Sequence, residues 1–292
     1  MTTMLDLVAD AKRMAYGTLP ESMNLVGVAA AAGATSITLQ SPLEGITPGS
    51  LVSSGLNVWY VKGVTPVGNI LSVIPGVHGS PPSPVAVDDF VYIKPRVTDW
   101  FVFKTVADTI RAMSSPLNGL YKVGSWTDSV DVQRMTYTIP PAALSMTGLL
   151  RVRALYPGSV DQWQDIATNL VRLQLDNATV RLLAGVVSNS TMQFLYKAPF
   201  TVPTALSDDV EDVCGLSDTM VDIPPLGAVA TLLRTTESRR NQLHMQGDPR
   251  RSEEVQAGSN LTSANYYQRA FKDRIDEEYS RLVAQTSVHR GI

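Results

Sequence analysis

Two long stretches of strand-like alternation, set between segments of helical period, constrain this 292-residue chain more than any single motif. Successive side chains of a strand point to opposite faces, whereas a helix returns a residue to one face every three or four positions. The first stretch runs from Met23 to Arg96. Its segments "TSITLQ", "LNVWYVKGV", "ILSVI" and "DDFVYIKP" alternate apolar and polar residues and are rich in Val, Ile, Tyr and Trp. Gly68-Asn69 between two of them predicts a hairpin turn, because both residues tolerate positive φ. The second stretch runs from Tyr121 to Pro224. There "VQRMTYTIP", "LLRVRALYP", "NLVRLQLD", "TVRLLAG" and "MQFLYKAPF" recur at regular spacing, which predicts a sandwich or jelly-roll-like lobe.

The intervening segments read as helices. From Met4 to Tyr16, Leu5, Val8, Ala9 and Lys12 follow helical spacing, with Thr2 or Thr3 as cap and Gly17 and Pro20 as stop. From Thr98 to Met113, Trp100, Phe103, Ile110 and Met113 share a face, with Thr98 or Asp99 as cap. A third helix is expected to start near Pro225 or Leu226. A fourth is expected over Thr262 to Ala284, with an apolar stripe of Tyr267, Phe271, Ile275, Tyr279 or Leu282, and Val283. Its Arg269/Asp273, Lys272/Asp276, Arg274/Glu278 and Glu277/Arg281 are opposite charges four apart, suited to a helix with much of its surface in water. The expected class is therefore α+β. A small bundle of N-terminal, middle and C-terminal helices would carry two antiparallel β lobes. The boundaries read as 1–19 for the first helix, 20–97 for a hairpin lobe, 98–116 for the middle helix, 117–224 for the second lobe and 225–292 for the C-terminal helices and a charged arm.

Composition narrows the function classes. A 44% hydrophobic content is enough for a sizeable core. A net charge of -3 argues against a surface built wholly to grip DNA. The single cysteine, Cys214, can form no intrachain disulfide. Asp6 and Asp10 interrupt the N-terminal apolar residues, so no secretory signal is read there. The most apolar window, Leu25 to Ala34, covers about half of the ~20 residues a membrane span needs. Synthesis in a cytosol and a soluble product are expected.

Chemical motifs are sparse. His78, His244 and His289 are scattered, and no HExxH or paired-Cys spacing occurs, so neither metal nor cofactor is expected. No GxSxG, GxxxxGK[ST] or GxGxxG occurs either. Cys214 lies among Glu211, Asp212 and Asp218, a setting that opposes a thiolate. Asp208, Asp209, Glu211, Asp212, Asp218 and Asp222 lack EF-hand spacing and read as a solvated loop before a helix. Trp59, Tyr60, Tyr92, Trp100, Trp126 and Trp163 sit in strand or helix patterns without interleaved bases, as packing residues do. Arg151, Arg153, Arg172 and Arg181 alternate with apolar residues, as on the solvent face of strands. No catalytic residue is expected.

One stretch stands apart: "RRNQLHMQGDPRRSEEVQAGSN", Arg239 to Asn260, between the third and fourth helices. Residues 234 to 292 hold 18 of the chain's 51 formal charges, so this end is polar and mixed in sign. Arg239, Arg240, Arg250 and Arg251 alone would suggest phosphate binding. Glu237, Asp248, Glu253 and Glu254 are interleaved with them, which fits protein contacts better. A plain solvated linker is the alternative.

Three segments together resemble head-to-tail adaptor (connector) proteins of tailed bacteriophages. They are the N-terminal helix with the hairpin module "TSITLQSPLEGITPGSLV…VWYVKGVTPVGNILSVIPGVHGSPPSPVAVDDFVYIKP", the Trp-started "DWFVFKTVADTIRAMSSPLNGLY", and the C-terminal "PPLGAVATLLRTTESRRNQLHMQGDPRRSEEVQAGSNLTSANYYQRAFKDRIDEEYSRLVAQ". The resemblance implies a non-enzymatic virion protein at the head-tail junction, made in the bacterial cytoplasm. It implies a ring of identical subunits, dodecameric in the common form, between the portal protein and a downstream tail or stopper protein. The ring would extend the DNA channel without specific DNA binding, and residues 239–292 would face the portal. Arg239, Arg240, Arg250, Arg251, Glu253, Glu254, Tyr267, Phe271, Arg274 and Glu278 are the implied portal or subunit contacts. The alternatives are another neck, tail or baseplate protein, or a carbohydrate-active enzyme using Asp208, Asp209 and Glu211.

Overall fold

In the computed structural model the residues described are 2–17, 21–130, 135–158, 162–174, 178–183, 186, 189–245 and 259–286. They form a mixed α+β protein with antiparallel sheets. The chain divides into two compact units. One comprises Met1–Thr109 and Val202–Lys272, the other Ile110–Thr201 and Asp273–Ile292.

The first unit opens with α1 (Met4–Tyr16). Thr3 caps it through a capping box: its amide donates to Asp6 Oδ2 at 2.8 Å, and its Oγ1 accepts from the Asp6 amide at 3.4 Å. Met4, Leu7, Val8 and Ala11 are its buried residues, whereas Leu5 is 52% exposed. The packed face is thus rotated from the expected one, because α1 lies against α3 (Ile223–Met245) and buries whatever that neighbour covers.

The strands that follow close into a six-stranded barrel: β1 (Met23–Val28), β2 (Ser36–Leu39), β3 (Leu51–Ser54), β4 (Asn57–Thr65), β5 (Ile70–Ile74) and β6 (Phe90–Ile93). The order is β1-β2-β5-β4-β3-β6, closed by pairing of Leu25 with Phe90 and Met23 with Tyr92. A hairpin lobe was the expectation; closure instead removes both sheet edges. Alternation turns Val26, Ile37, Val52, Trp59, Leu71 and Val91 inward. Bulges at Val26/Val28 and Val61/Gly63 supply the sharp bending a small barrel needs. At the β4–β5 turn Gly68 and Asn69 both take positive φ, 82° and 52°. Asn24 is buried and satisfied: its Nδ2 donates to the Ser41 carbonyl at 3.1 Å, and its Oδ1 accepts from the Leu25 and Ser41 amides.

Helix α2 (Asp99–Met113) begins beside Thr98, whose Oγ1 accepts from the Phe101 amide at 3.3 Å. Helix α3 runs on through Arg239 and Arg240 to Met245, and α4 spans Ser259–Thr286. Gly227 of α3 lets these helices approach. A Cβ there would lie 2.6 Å from Thr109 of α2 and 2.9 Å from Phe271 of α4. Val202–Asp222 also belongs to this unit. It begins beyond the second set of strands, and Met4 and Leu5 donate to the carbonyls of Asp208 and Leu206, both at 2.9 Å.

The second unit holds two sheets. One runs β10 (Trp163–Asp165), β9 (Gly148–Leu155), β13 (Thr191–Ala198), β7 (Lys122–Ser129); the other runs β11 (Val171–Gln174), β12 (Thr179–Leu182), β8 (Thr136–Thr138). Tyr137, Val180 and Leu182 from one sheet share a core with Val152, Met192 and Phe194 from the other. Trp126 stacks on Phe194 with ring centroids 4.6 Å apart, and Tyr196 covers Gly124 so closely that a Cβ would fall 2.3 Å from its ring.

Candidate functional site

The residues implied as contacts by the resemblance separate into three groups. Arg250, Arg251, Glu253 and Glu254 lie outside the described residues. Arg239 and Arg240 fall on the last turns of α3, so the polar stretch begins inside a helix and not after it. Helical spacing continues there without a Gly or Pro to stop it. Tyr267, Phe271, Arg274 and Glu278 lie on α4.

Within the first unit, Phe271 is buried against Gly227 and is a core residue of the subunit. Tyr267 is half-buried, and its ring meets Tyr266 edge-on at 5.4 Å. Tyr266 is 68% exposed, so of these two it is the one presented to solvent. Within the second unit, Glu278 is buried and held by two arginines of its own helix. Arg281 Nε donates to Oε2 at 2.7 Å, and Arg274 Nη2 lies 3.5 Å from Oε1. Arg274 also pairs with Glu277. The arginines reach Glu278 from one turn on either side, which lets a carboxylate occupy the packed face. The apolar stripe accordingly runs through Ile275 and Leu282, while Tyr279 and Val283 are each over 40% exposed.

A second constellation comes from residues far apart in sequence. Lys12 Nζ on α1 lies 2.7 Å from Asp99 Oδ1 at the start of α2, 3.6 Å from Glu21, and 5.2 Å from the Tyr92 ring centre. Burial opposes the charge on Lys12, but Asp99 and then Glu21 outweigh it and hold the amine above its usual value. Burial, then Asp99, raises the Tyr92 hydroxyl. Arg96 stacks over Tyr16 at 5.3 Å, and the Tyr16 hydroxyl lies 3.3 Å from Thr236 Oγ1. Lys12, Tyr16, Glu21, Tyr92 and Arg96 line a cleft of about 820 Å³ between α1 and barrel strands β1 and β6. A second cleft of about 430 Å³ shares Tyr16 and Arg96 and is lined by His78, Phe101 and Leu232. His78 sits at φ 58°, and its carbonyl accepts from the Trp100 indole at 3.2 Å. Sequence reasoning missed this site. Its one local signal was Lys12 among the apolar positions of α1.

The acidic loop has a structural occupation. Asp208 Oδ2 accepts from the Thr204 and Ala205 amides at 2.7 and 2.9 Å. These bonds hold its carboxyl below the usual carboxylate range. Asp209 Oδ1 caps the π-helical turn Val210–Cys214 by accepting from the Glu211 and Asp212 amides. A general acid needs the opposite shift, toward a protonated carboxyl. No group of three or more His, Cys, Asp or Glu among the described residues could hold a metal ion. No helix among them is long and apolar enough to cross a membrane.

No protein-family model matches the chain, and no curated protein matches it.

Proposed function

We propose that this chain is a structural virion protein, a head-to-tail adaptor that forms a ring between portal and tail and extends the DNA channel. The observation that carries this reading is the chain order: α1, a β barrel, α2, a two-sheet β unit, and the long helices α3 and α4. That order coincides with the three segments whose sequence resembles adaptor proteins. In this reading the helices are a small bundle forming the ring body. The β lobes face outward or tailward. Residues 239–292 form the portal-facing arm, with Arg239, Arg240, Arg250 and Arg251 opposite acidic groups of the portal or a neighbour.

The charge balance supports the reading. A ring around DNA works best when it does not hold it, and a chain of net charge -3 avoids the counterion-release affinity of a basic groove. A closed ring also requires one subunit to present two different, complementary surfaces.

The test is electron microscopy and mass measurement of the purified protein, alone and mixed with the portal. Rings, or a collar of this chain on the portal, are expected. A chain that stays monomeric and ignores the portal refutes the proposal.

A further inference from the structure

No basic residue occurs between Lys197 and Arg234, whereas six acidic residues do. Two of them, Asp208 and Asp209, spend their carboxylates on backbone amides. That capping holds out a turn on which Glu211, Asp212 and Val213 are all exposed. The turn is fixed to the start of α1, where the Val210 amide donates to the Thr2 carbonyl at 3.0 Å and Thr3 bridges Asp209. The result is a capped acidic knob bearing a 39% exposed valine.

The cleft beside β1 and β6 has the complementary character. Its walls include Tyr16, Met23 and Tyr92, and its cations are Lys12, Arg13, Lys94 and Arg96. Lys12 is matched by Asp99 and Glu21, and Arg13 by Asp10. Lys94 and Arg96, both exposed, outnumber Glu44, the remaining acid on the rim. The aromatic floor suits a small apolar side chain.

Knob and cleft lie at opposite ends of α1. Its 13 residues set them roughly 20 Å apart at 1.5 Å per residue. Two complementary surfaces displaced along one subunit join copies head to tail. We infer that the Glu211–Val213 turn of one copy docks into the α1–barrel cleft of the next, with Glu211 and Asp212 facing Lys94 and Arg96 and Val213 against Tyr92. The inference rests on the ring reading above and names its subunit contact.

The test is self-association of the full chain, measured by analytical ultracentrifugation over a concentration series and by assembly on a portal ring. The doubly reversed Glu211→Lys/Asp212→Lys and Lys94→Glu/Arg96→Glu chains are each expected to raise the association midpoint by roughly tenfold or more, as a close charge pair made repulsive does. The chain carrying all four changes is expected to return to near the wild-type midpoint. Circular dichroism checks that each variant folds, and Asp212→Asn with Arg96→Gln provides a milder pair with intermediate loss. An assembling wild type whose reversed variants assemble equally well, or whose fourfold variant stays defective, overturns the docking and leaves the ring reading standing. A wild type that assembles neither alone nor on the portal overturns the ring reading itself.

Discussion

Lys12 and Asp99 are 87 residues apart in sequence and 2.7 Å apart in space. Their side chains are 23% and 15% exposed, so the pair is screened far less than a surface pair. It ties the middle of α1 to the first residue of α2, with Tyr92 of the barrel beneath the amine. Lys12→Met leaves Asp99 and Glu21 without their cation and is expected to cost about 1–3 kcal/mol. A double-mutant cycle with Asp99→Asn, read by urea denaturation, is expected to give a coupling of about 1 kcal/mol or more. Strict additivity would contradict the tie.

Lys12 and Tyr92 together set an alkaline limit. Lys12 is raised above its ordinary value of 10.5, and Tyr92 is raised above 10.0. A group raised on folding stabilises the fold fully below its unfolded pKa and loses that contribution as pH rises through the folded value. Stability of the first unit is therefore expected to fall above about pH 10. In denaturation midpoints measured from pH 8 to 11, Lys12→Met should remove the lysine's share of that decline and keep the share of Tyr92, whose hydroxyl Lys12 holds down.

Acid acts on different groups. Asp208 and Asp6 are both lowered from 3.8 by hydrogen bonds to backbone amides. Their contribution is present above the unfolded value and is lost as pH falls through the folded one. Asp208→Ala removes acceptors from the Thr204 and Ala205 amides and is expected to cost about 1 kcal/mol at neutral pH. In a thermal melt the difference from wild type should shrink as the pH is lowered toward 2.

Gly227 is a contact glycine, not a turn glycine. Gly227→Ala would gain helix propensity of up to about 1 kcal/mol. It would also set a methyl 2.6 Å from Thr109 Cγ2 and 2.9 Å from Phe271, so a net loss of roughly 1–3 kcal/mol is expected. Thr109→Ser removes the nearer methyl and keeps a hydroxyl to reach the Thr105 carbonyl. Adding it should recover part of the melting temperature, whereas a Gly227→Ala chain as stable as wild type would contradict the packing.

Phe271 lies on α4, within the residues that the adaptor reading assigns to a portal-facing arm. Phe271→Ala is expected to cost about 3–5 kcal/mol, since the buried ring packs on α3 at Gly227. Deleting everything after Arg234 removes the same ring and would confound lost portal binding with lost folding. Arg250→Glu/Arg251→Glu leaves the Phe271 ring in the chain. On the adaptor reading it should weaken portal binding, measured by co-sedimentation, without moving the melting temperature.

Local chemistry was legible in the amino-acid sequence itself. A cap at Thr2 or Thr3, a cap at Thr98 or Asp99, and a turn at Gly68-Asn69 were readable because each depends on neighbours a few residues away; the structure uses Thr3, Thr98 and positive φ at both turn residues. Period-two alternation likewise marked the strands of both β stretches, because it records which face is buried. It could not say what buries them. Barrel closure needed Leu25 beside Phe90, the packed face of α1 was chosen by α3, and the last helix took Leu282 over Tyr279 and buried Glu278 beside it, held by two arginines. The cleft around Lys12 exists only once α1, β1 and β6 converge. Periodicity is a property of the chain and was written in the sequence. Partnership depends on which distant surfaces exclude water together, and that was decided by the tertiary structure.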